Sequence, residues 1–326
     1  MSDVKNNLHC GIIVSYKCNA ACRHCMFACS PERSSDYLSP ETAERICVLL
    51  RGKGIRSLHI SGGEPFLDFD KMVDVIKVIR KTGISIEYVE TNAFWAEDER
   101  RVKEYLRILE QAGADRLLIS LDPFHAEYVP IGLPLRLVEI CENVNFKYIL
   151  WKREFKTMLA DVNQNKIHSR IELEQLISPQ YILETAKMYG LDKAGRAFNI
   201  LNEYTTLKPV NEIVAKSHSC RNLLKVGALH VDLYERYLVT GCPDISLPLI
   251  EAIEGIPKGR YSVFEALSSN GAAGLLKYAQ GLGFEPDTEY SSSCALCFNI
   301  RLWLSENHNC PELDPVHHKA VLSHYC

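Results

Sequence analysis

Residues 18–25 of the chain read CNAACRHC and place Cys18, Cys22 and Cys25 at C-x3-C-x2-C spacing. The apolar run GIIVS at residues 11–15 precedes them and is typical of a buried strand. A short loop that leaves the end of a strand can direct three sulfur atoms toward one point. Thiolates are soft ligands that suit zinc, Cu(I) or iron–sulfur clusters. The stretch therefore predicts a metal site at the end of the first strand.

The number of cysteines bears on which metal is bound. A four-iron cluster is cubic and normally takes one cysteine for each iron. Three cysteines would therefore leave one iron open to another ligand. Zinc is the alternative, because His24 lies beside the third cysteine and could complete a tetrahedral site. These residues alone leave both metals open.

A second motif, SGGEP, occupies residues 61–65. It directly follows RSLHI at residues 56–60, which is typical of a second strand. Glycine removes the side chain where backbone must approach a ligand closely, although a Gly-Gly pair also fits an ordinary strand-to-helix turn. The order of three cysteines, one helix, one strand and then GGEP is more specific than either motif alone.

This arrangement resembles the radical S-adenosylmethionine (radical SAM) superfamily. In that family the open iron of a [4Fe-4S] cluster chelates the amino and carboxylate groups of SAM. An electron from the reduced cluster then cleaves SAM to methionine and a 5′-deoxyadenosyl radical. The resemblance implies that Cys18, Cys22 and Cys25 hold this cluster. The residues that it implies for SAM binding in the second motif are Gly62, Gly63, Glu64 and Pro65.

Composition limits the class of protein. The chain has 326 residues, of which 47% are hydrophobic and 24% charged, as in globular proteins with a full core. Its net charge of −4 gives no broad basic surface for nucleic acid, and no apolar run is long enough for a membrane span. The start of the chain lacks the apolar core of a signal peptide, and 13 cysteines argue for metal in a reducing compartment. We therefore expect a cytoplasmic protein without nucleic-acid or membrane partners.

Strand-like and helix-like segments alternate through residues 9–205, with a sixth strand expected at residues 196–201. Apolar strands that alternate with helices imply a parallel sheet covered on both faces. Six such units match the open (βα)6 partial barrel that the resemblance implies. The predicted fold class is α/β, with a partial barrel of parallel strands at residues 1–205 and a smaller α+β domain at 206–326.

In barrels of this type the chemistry lies at the carboxyl ends of the strands. The resemblance implies that polar residues there contact SAM, and we assign this role to Asn92 and Ser120. Arg196 is expected either to pair with the SAM carboxylate or to be a solvated loop residue. His125 is a candidate acid or base at the radical site, although a lone histidine in an aromatic loop is more often structural.

After residue 206 the alternation stops, and cysteines frame a predicted β-hairpin. Cys220 precedes the hairpin, Cys242 follows it, and Cys294 and Cys297 form a later C-x2-C pair. This layout resembles the auxiliary-cluster domains of radical SAM maturases, the SPASM and shorter twitch types. The resemblance implies one auxiliary [4Fe-4S] cluster held by these four cysteines, and a structural zinc ion is the alternative.

The whole layout is most similar to compact radical SAM enzymes that modify ribosomally made peptides, including epimerases. We expect a peptide substrate, epimerisation or cross-linking after hydrogen abstraction, and an external electron donor such as flavodoxin or ferredoxin. A small-metabolite substrate is an alternative, because only about eight residues precede the first strand and peptide maturases usually carry a recognition domain there. A non-catalytic zinc-binding scaffold is a second alternative.

The resemblance also raises the question of a hydrogen donor. An epimerase of this kind returns a hydrogen from a cysteine that directly follows the cysteine at the foot of the hairpin. Pro243 occupies that position and has no thiol. The candidate donors are therefore Cys310 and Cys29, unless the reaction is one that needs no donor.

Overall fold

The computed structural model describes residues 9–191, 194–220, 223, 228–239 and 241–322. The strands are β1 (His9–Ile13), β2 (Ser57–Ser61), β3 (Ser85–Thr91), β4 (Arg116–Ile119), β5 (Lys147–Leu150), β6 (Lys208–Pro209), β7 (Ala228–Asp232), β8 (Arg236–Val239), β9 (Cys242–Pro248) and β10 (Glu289–Tyr290).

The helices of the described residues are α1 (Pro40–Gly52), α2 (Phe69–Lys81), α3 (Glu99–Ala112), α4 (Pro123–Ala126), α5 (Gly132–Val144), α6 (Glu154–Met158), α7 (Arg170–Leu176), α8 (Tyr181–Tyr189), α9 (Ala197–Glu203), α10 (Val210–Ala215), α11 (Leu249–Glu254), α12 (Ser262–Gln280), α13 (Ser293–Asn307) and α14 (Pro315–Leu322), with a short 3-10 helix at Pro65–Asp68. None of these helices is long and apolar enough to cross a membrane.

The main sheet has eight strands in the order β5-β4-β3-β2-β1-β7-β8-β9. Strands β1 to β5 pair in parallel, each with the next, and helices intervene between them. The sheet does not close on itself, because β5 and β9 are its two edges. The predicted α/β class with an open partial barrel is therefore confirmed. The carboxyl ends of the parallel strands lie along one edge, which brings the loops after β1 to β4 together.

The boundaries of the first units follow from local chemistry. Helix α1 starts where the Ser39 side chain accepts a hydrogen bond from the Thr42 amide at 3.2 Å, and Pro40 occupies its first position. Its buried face contains Ile46 and Leu50, which pack in the same core as the apolar residues of β1 and β2. Helix α3 ends at Gly113, which has a φ of 100° that glycine adopts without strain.

The prediction of a sixth strand at residues 196–201 was wrong, because residues 197–203 form helix α9. Its buried residues, Ala197, Phe198 and Ile200, fit a helix face as well as a strand, and so short a run does not separate the two periods. The sixth parallel strand is β7, which pairs with β1 along its whole length.

The predicted hairpin extends the main sheet. Strand β8 pairs antiparallel with β7, and β9 pairs antiparallel with β8. Val231 belongs to the core of the parallel strands, whereas Val239 and Ile245 belong to a second core with α12 and α13. A division at residues 205 and 206 would cut across this continuous sheet. The two-domain boundary stays a prediction.

The place of β7 can be tested with one substitution. Val231 is fully buried, so Val231→Ala is expected to lower the free energy of unfolding by about 2 kcal/mol through lost burial and a residual cavity. The matched control is Val48→Ala on α1, where the side chain is 59% exposed and the change is expected to stay within about 0.5 kcal/mol. Urea unfolding measures both. Equal effects of the two substitutions would show that β7 is not part of this core.

Candidate active site

The first three cysteines lie in the loop that leaves the carboxyl end of β1. Cys18 and Cys22 are buried and Cys25 is partly buried. Backbone amides point at two of the sulfurs: the Ala20 amide donates to Cys18 Sγ and the Cys29 amide to Cys25 Sγ, each at 3.4 Å. Amide hydrogen bonds to sulfur stabilise the thiolate form and are typical of iron–sulfur ligands. The loop therefore directs a backbone hydrogen-bond donor at each of these two sulfurs.

The described sulfurs of the first loop do not form the compact group that a single zinc ion needs. Two thiolates on one tetrahedral zinc ion lie about 3.8 Å apart, because each Zn–S bond is about 2.3 Å long. Among the residues that the structure describes, one group of three ligand atoms lies within 4.8 Å of one another, and it consists of His24, Asp122 and His125. The loop cysteines form no such group. His24 packs against both Phe124 and Tyr189 and groups with Asp122 and His125 rather than with the cysteines, so the geometry does not support a zinc site of three cysteines and His24.

The two glycines after β2 allow the second loop to lie directly against the cysteine loop. The Gly63 amide donates to the Ser15 carbonyl at 2.7 Å, and the Glu64 amide donates to the Lys17 carbonyl at 3.0 Å. A Cβ atom on Gly63 would lie 1.8 Å from the Lys17 oxygen. Gly62 has a φ of 147°, which a side chain would strain. These glycines therefore fix the position of the cysteine loop, a role that the sequence analysis did not anticipate.

Glu64 connects this loop to the end of β3. Its buried carboxylate accepts hydrogen bonds from the amides of Phe66 and Asn92 at 3.1 and 2.7 Å and from the Thr91 hydroxyl at 2.9 Å. Burial raises the pKa of Glu64 to about 7. The following residue, Pro65, starts the 3-10 helix, and its carbonyl accepts a hydrogen bond from a tyrosine hydroxyl at 3.1 Å. The GGEP stretch thus joins the ends of β1, β2 and β3.

The two strand-end residues assigned to SAM lie near the cysteine loop. Asn92 Nδ2 donates to Asn19 Oδ1 at 2.9 Å and lies 3.9 Å from Cys18 Sγ. Ser120 follows β4, and its amide donates to the carbonyl of Thr91 at 2.9 Å. Both residues therefore lie at neighbouring strand ends. Their contact with SAM stays a prediction.

Arg196 is fully buried and is hydrogen-bonded to the cysteine loop, although it lies far from that loop in the sequence. Its Nε donates to the Cys22 carbonyl at 2.9 Å and its Nη2 to the Cys29 carbonyl at 2.7 Å. The backbone amide of Arg196 also donates to the Cys25 carbonyl at 3.0 Å. The expectation of a solvated loop residue is wrong, because Arg196 is a buried brace of the cysteine loop. Its Nη1 atom is buried without a hydrogen-bond partner, and pairing with the SAM carboxylate stays a prediction.

His125 belongs to a hydrogen-bonded group that reaches the cysteine loop. Its Nδ1 lies 2.5 Å from Asp122 Oδ2, and the Tyr189 hydroxyl donates to the same oxygen at 2.5 Å. Burial acts to lower the pKa of His125, but the charge of Asp122 and the side chain of Cys22 outweigh it, and the pKa is raised well above its ordinary value. Asp122 is therefore an anchor that orients the histidine toward Cys22. Nothing in the sequence pattern pointed to Tyr189.

The two candidate hydrogen donors lie in different places. The Cys29 thiol is buried and donates a hydrogen bond to Cys25. This bond lowers the pKa of Cys25 well below its ordinary value and raises that of Cys29. Cys310 is partly buried against the second core. The structure thus brings Cys29 to the cysteine loop but not Cys310.

The four cysteines predicted for an auxiliary cluster line one cavity. Its volume is about 130 Å³, and β9 and helices α9, α12, α13 and α14 contribute to its wall. These four cysteines come from three segments, because Cys220 lies before the hairpin, Cys242 on β9, and Cys294 and Cys297 on α13. Burial raises the pKa of Cys297 to about 12, although the nearby Arg301 acts to lower it. The donor set and the enclosed space fit a four-iron cluster, whose binding here stays a prediction.

Comparisons with known proteins show what the first part of the chain is similar to. Residues 12–149 match the family described as the radical SAM superfamily. The chain is 29% identical over 113 residues to the "Putative peptide biosynthesis protein YydG" of Bacillus subtilis (strain 168), covering 35% of each protein. It is 32% identical over 117 residues to the "Probable GTP 3',8-cyclase" of Methanothermobacter marburgensis, covering 36% of this chain and 35% of that protein.

These matches thus span about a third of the length of each relative, 35% in both cases. Among solved structures, Streptococcus suis SuiB bound to S-adenosylmethionine is 15% identical, with a TM-score of 0.45 over 83% of this chain and 74% of that chain.

A substitution at Gly63 tests whether the two loops must touch. In Gly63→Ala the new methyl group would lie 1.8 Å from the Lys17 carbonyl oxygen, so the loops must separate. The expected result is a lower melting temperature and a loss of iron from the first site after anaerobic reconstitution. The control is Gly52→Ala at the end of α1, where a Cβ meets nothing within 4 Å. Iron content equal to that of the control would contradict this description of the loops.

Proposed function

We propose that this chain is an enzyme that abstracts hydrogen from a peptide substrate. The match of residues 12–149 to the radical SAM superfamily, whose members are enzymes, supports the proposal. The observation that carries the proposal is the contact between the two loops. Three cysteines at C-x3-C-x2-C spacing lie in the first loop, and the GGEP loop is hydrogen-bonded against it at 2.7 and 3.0 Å. This contact supports a single strand-end site in which the proposed cluster ligands lie beside the proposed cofactor-binding stretch.

Cys18, Cys22 and Cys25 would hold a [4Fe-4S] cluster with one iron open for SAM. When bound, the reduced cluster supplies one electron that cleaves SAM into methionine and a 5′-deoxyadenosyl radical. The electron comes from an external low-potential donor such as flavodoxin or ferredoxin. The protein's part is to hold the ligands still, through Arg196, and to place Asn92 and the GGEP stretch beside them.

Two observations support a peptide as the substrate. One relative carries the name of a peptide biosynthesis protein. The cavity lined by four cysteines also supports the auxiliary cluster that the resemblance to peptide maturases implies. A small metabolite is the second candidate, because other relatives are named GTP 3',8-cyclases. Reconstituted enzyme offered a precursor peptide and, separately, nucleotides distinguishes them by which one is consumed with SAM.

The position of the thiols favours cross-linking or oxidation over epimerisation. Pro243 is buried in β9 where a donor thiol was expected. Cys29 is hydrogen-bonded to a cluster ligand, and Cys310 packs against the second core. Cys29 is thus beside the first loop but already hydrogen-bonded, and Cys310 is not beside that loop. Mass spectrometry of the product made in deuterated water tests this, since epimerisation would add deuterium and cross-linking would remove hydrogens.

Loss of one cluster ligand should abolish SAM cleavage. We expect Cys22→Ala to form no 5′-deoxyadenosine above background with dithionite and SAM, because the cluster then lacks one of its three protein ligands. The matched control is Cys141→Ala, which removes a buried cysteine from helix α5 and should keep the activity. Chromatography of 5′-deoxyadenosine makes the measurement. Product formation that survives Cys22→Ala would refute the assignment.

The iron content of the protein tests the auxiliary cluster separately. The reconstituted parent chain should hold about eight irons, and a variant with Cys18, Cys22 and Cys25 all changed to Ala should keep about four. Metal analysis by emission spectrometry measures iron and zinc together. A variant that binds zinc instead of iron in the cavity would contradict the auxiliary cluster.

A further inference from the structure

The cavity of the four cysteines contains a buried arginine that the proposed function has not used. Arg301 Nη1 lies 2.6 Å from Cys297 Sγ, and the side chain is 5% exposed. Arg301 follows Cys297 by four residues on α13, so the two side chains share one helix face. The guanidinium is therefore a direct hydrogen-bond donor to one of the four predicted ligands.

Asp244 fixes the direction of this arginine. Arg301 Nε donates to Asp244 Oδ2 at 2.5 Å, and His318 Nε2 lies 3.0 Å from the same oxygen. Asp244 lies on β9, two residues after Cys242. The ion pair thus joins the two elements, β9 and α13, that carry three of the four cysteines, and it leaves the Nη1 atom aimed at Cys297.

The chemistry of this group calls for a negative charge at the sulfur. A buried guanidinium is costly unless anions surround it. Asp244 supplies one anion on the Nε side, whereas the Cys297 sulfur lies 2.6 Å from Nη1 on the other side. A cysteine that ligates a cluster is a thiolate. A charge-assisted hydrogen bond from Arg301 is strong only in that state.

We propose that Arg301, oriented by Asp244, raises the reduction potential of the auxiliary cluster through its hydrogen bond to Cys297. The inference rests on the proposed auxiliary cluster. Reduction takes one electron from a low-potential donor, breaks and forms no bond, and changes the charge of the cluster with its four thiolates from −2 to −3. A fixed positive charge and a hydrogen bond at a ligand sulfur stabilise the more negative state. Arg301 is thus a positioning residue: it acts through Cys297 and makes it easier for the auxiliary cluster to accept an electron.

The experiment isolates the auxiliary cluster in the full-length chain. Cys18, Cys22 and Cys25 are changed to Ala, so that the remaining cluster alone gives the electron paramagnetic resonance signal. Its midpoint potential is titrated with dithionite in this background and in the same background with Arg301→Gln. The glutamine variant should show at least a tenfold lower equilibrium constant for reduction, which equals about 59 mV for one electron.

Two further variants complete the design. Arg301→Lys keeps the charge but lacks the forked geometry, so its potential should lie between those of the parent and the glutamine variant, and it replaces that variant should glutamine prevent iron loading. Arg260→Gln is the control, because this exposed arginine pairs with Glu251 and should leave the potential unchanged.

The outcomes separate this inference from the function on which it rests. If the background variant binds no iron, the auxiliary cluster is refuted, and the inference falls with it. If it binds about four irons and both Arg301 variants keep the parent potential, the inference alone is overturned. A fall in potential with Arg301→Gln that Arg260→Gln does not share supports it.

Discussion

The fold of the candidate site depends on a backbone contact between two loops. The loop after β1 carries the cysteines, and the loop after β2 lies against it through amide-to-carbonyl bonds at Gly63 and Glu64. The contact is so close that a single methyl group on Gly63 would overlap the Lys17 oxygen. Because parallel strands end at the same edge of the sheet, this contact places the cysteines beside the ends of β3 and β4, where Asn92 and Ser120 lie.

Two long-range braces complete the arrangement. Arg196 binds the cysteine loop through the carbonyls of Cys22 and Cys29, and it comes from a segment 174 residues after Cys22. Asp122 orients His125 toward Cys22 and is itself held by Tyr189. A similar buried charged pair, Asp244 and Arg301, lines the cavity of the four predicted auxiliary cysteines. Arg196 and Arg301 are buried charged side chains hydrogen-bonded directly to elements that carry predicted thiol ligands, whereas Asp122 acts through His125.

Sequence reasoning succeeded where the signal was local. The spacing of the cysteines, the glycines after the second strand and the alternation of strands and helices gave the partial barrel and the strand-end site. It failed at residues 196–201, because the apolar residues of so short a segment suit a helix and a strand equally. The brace made by Arg196 joins residues that are far apart in the sequence, and no local sequence pattern predicts such a contact. Arg301, in contrast, follows Cys297 by one helical turn, and that spacing could have revealed it.

The most direct test of the central claim is electron paramagnetic resonance of the reduced first cluster with SAM labelled by nitrogen-15 in its amino group. Cys220, Cys242, Cys294 and Cys297 are changed to Ala, so that the cluster of the first loop alone is observed. If Cys18, Cys22 and Cys25 leave one iron open for SAM, the spectrum should change on addition of SAM and show coupling to the labelled nitrogen. A cluster whose spectrum does not change when SAM is added, or a first loop that binds zinc instead of iron, would contradict the account.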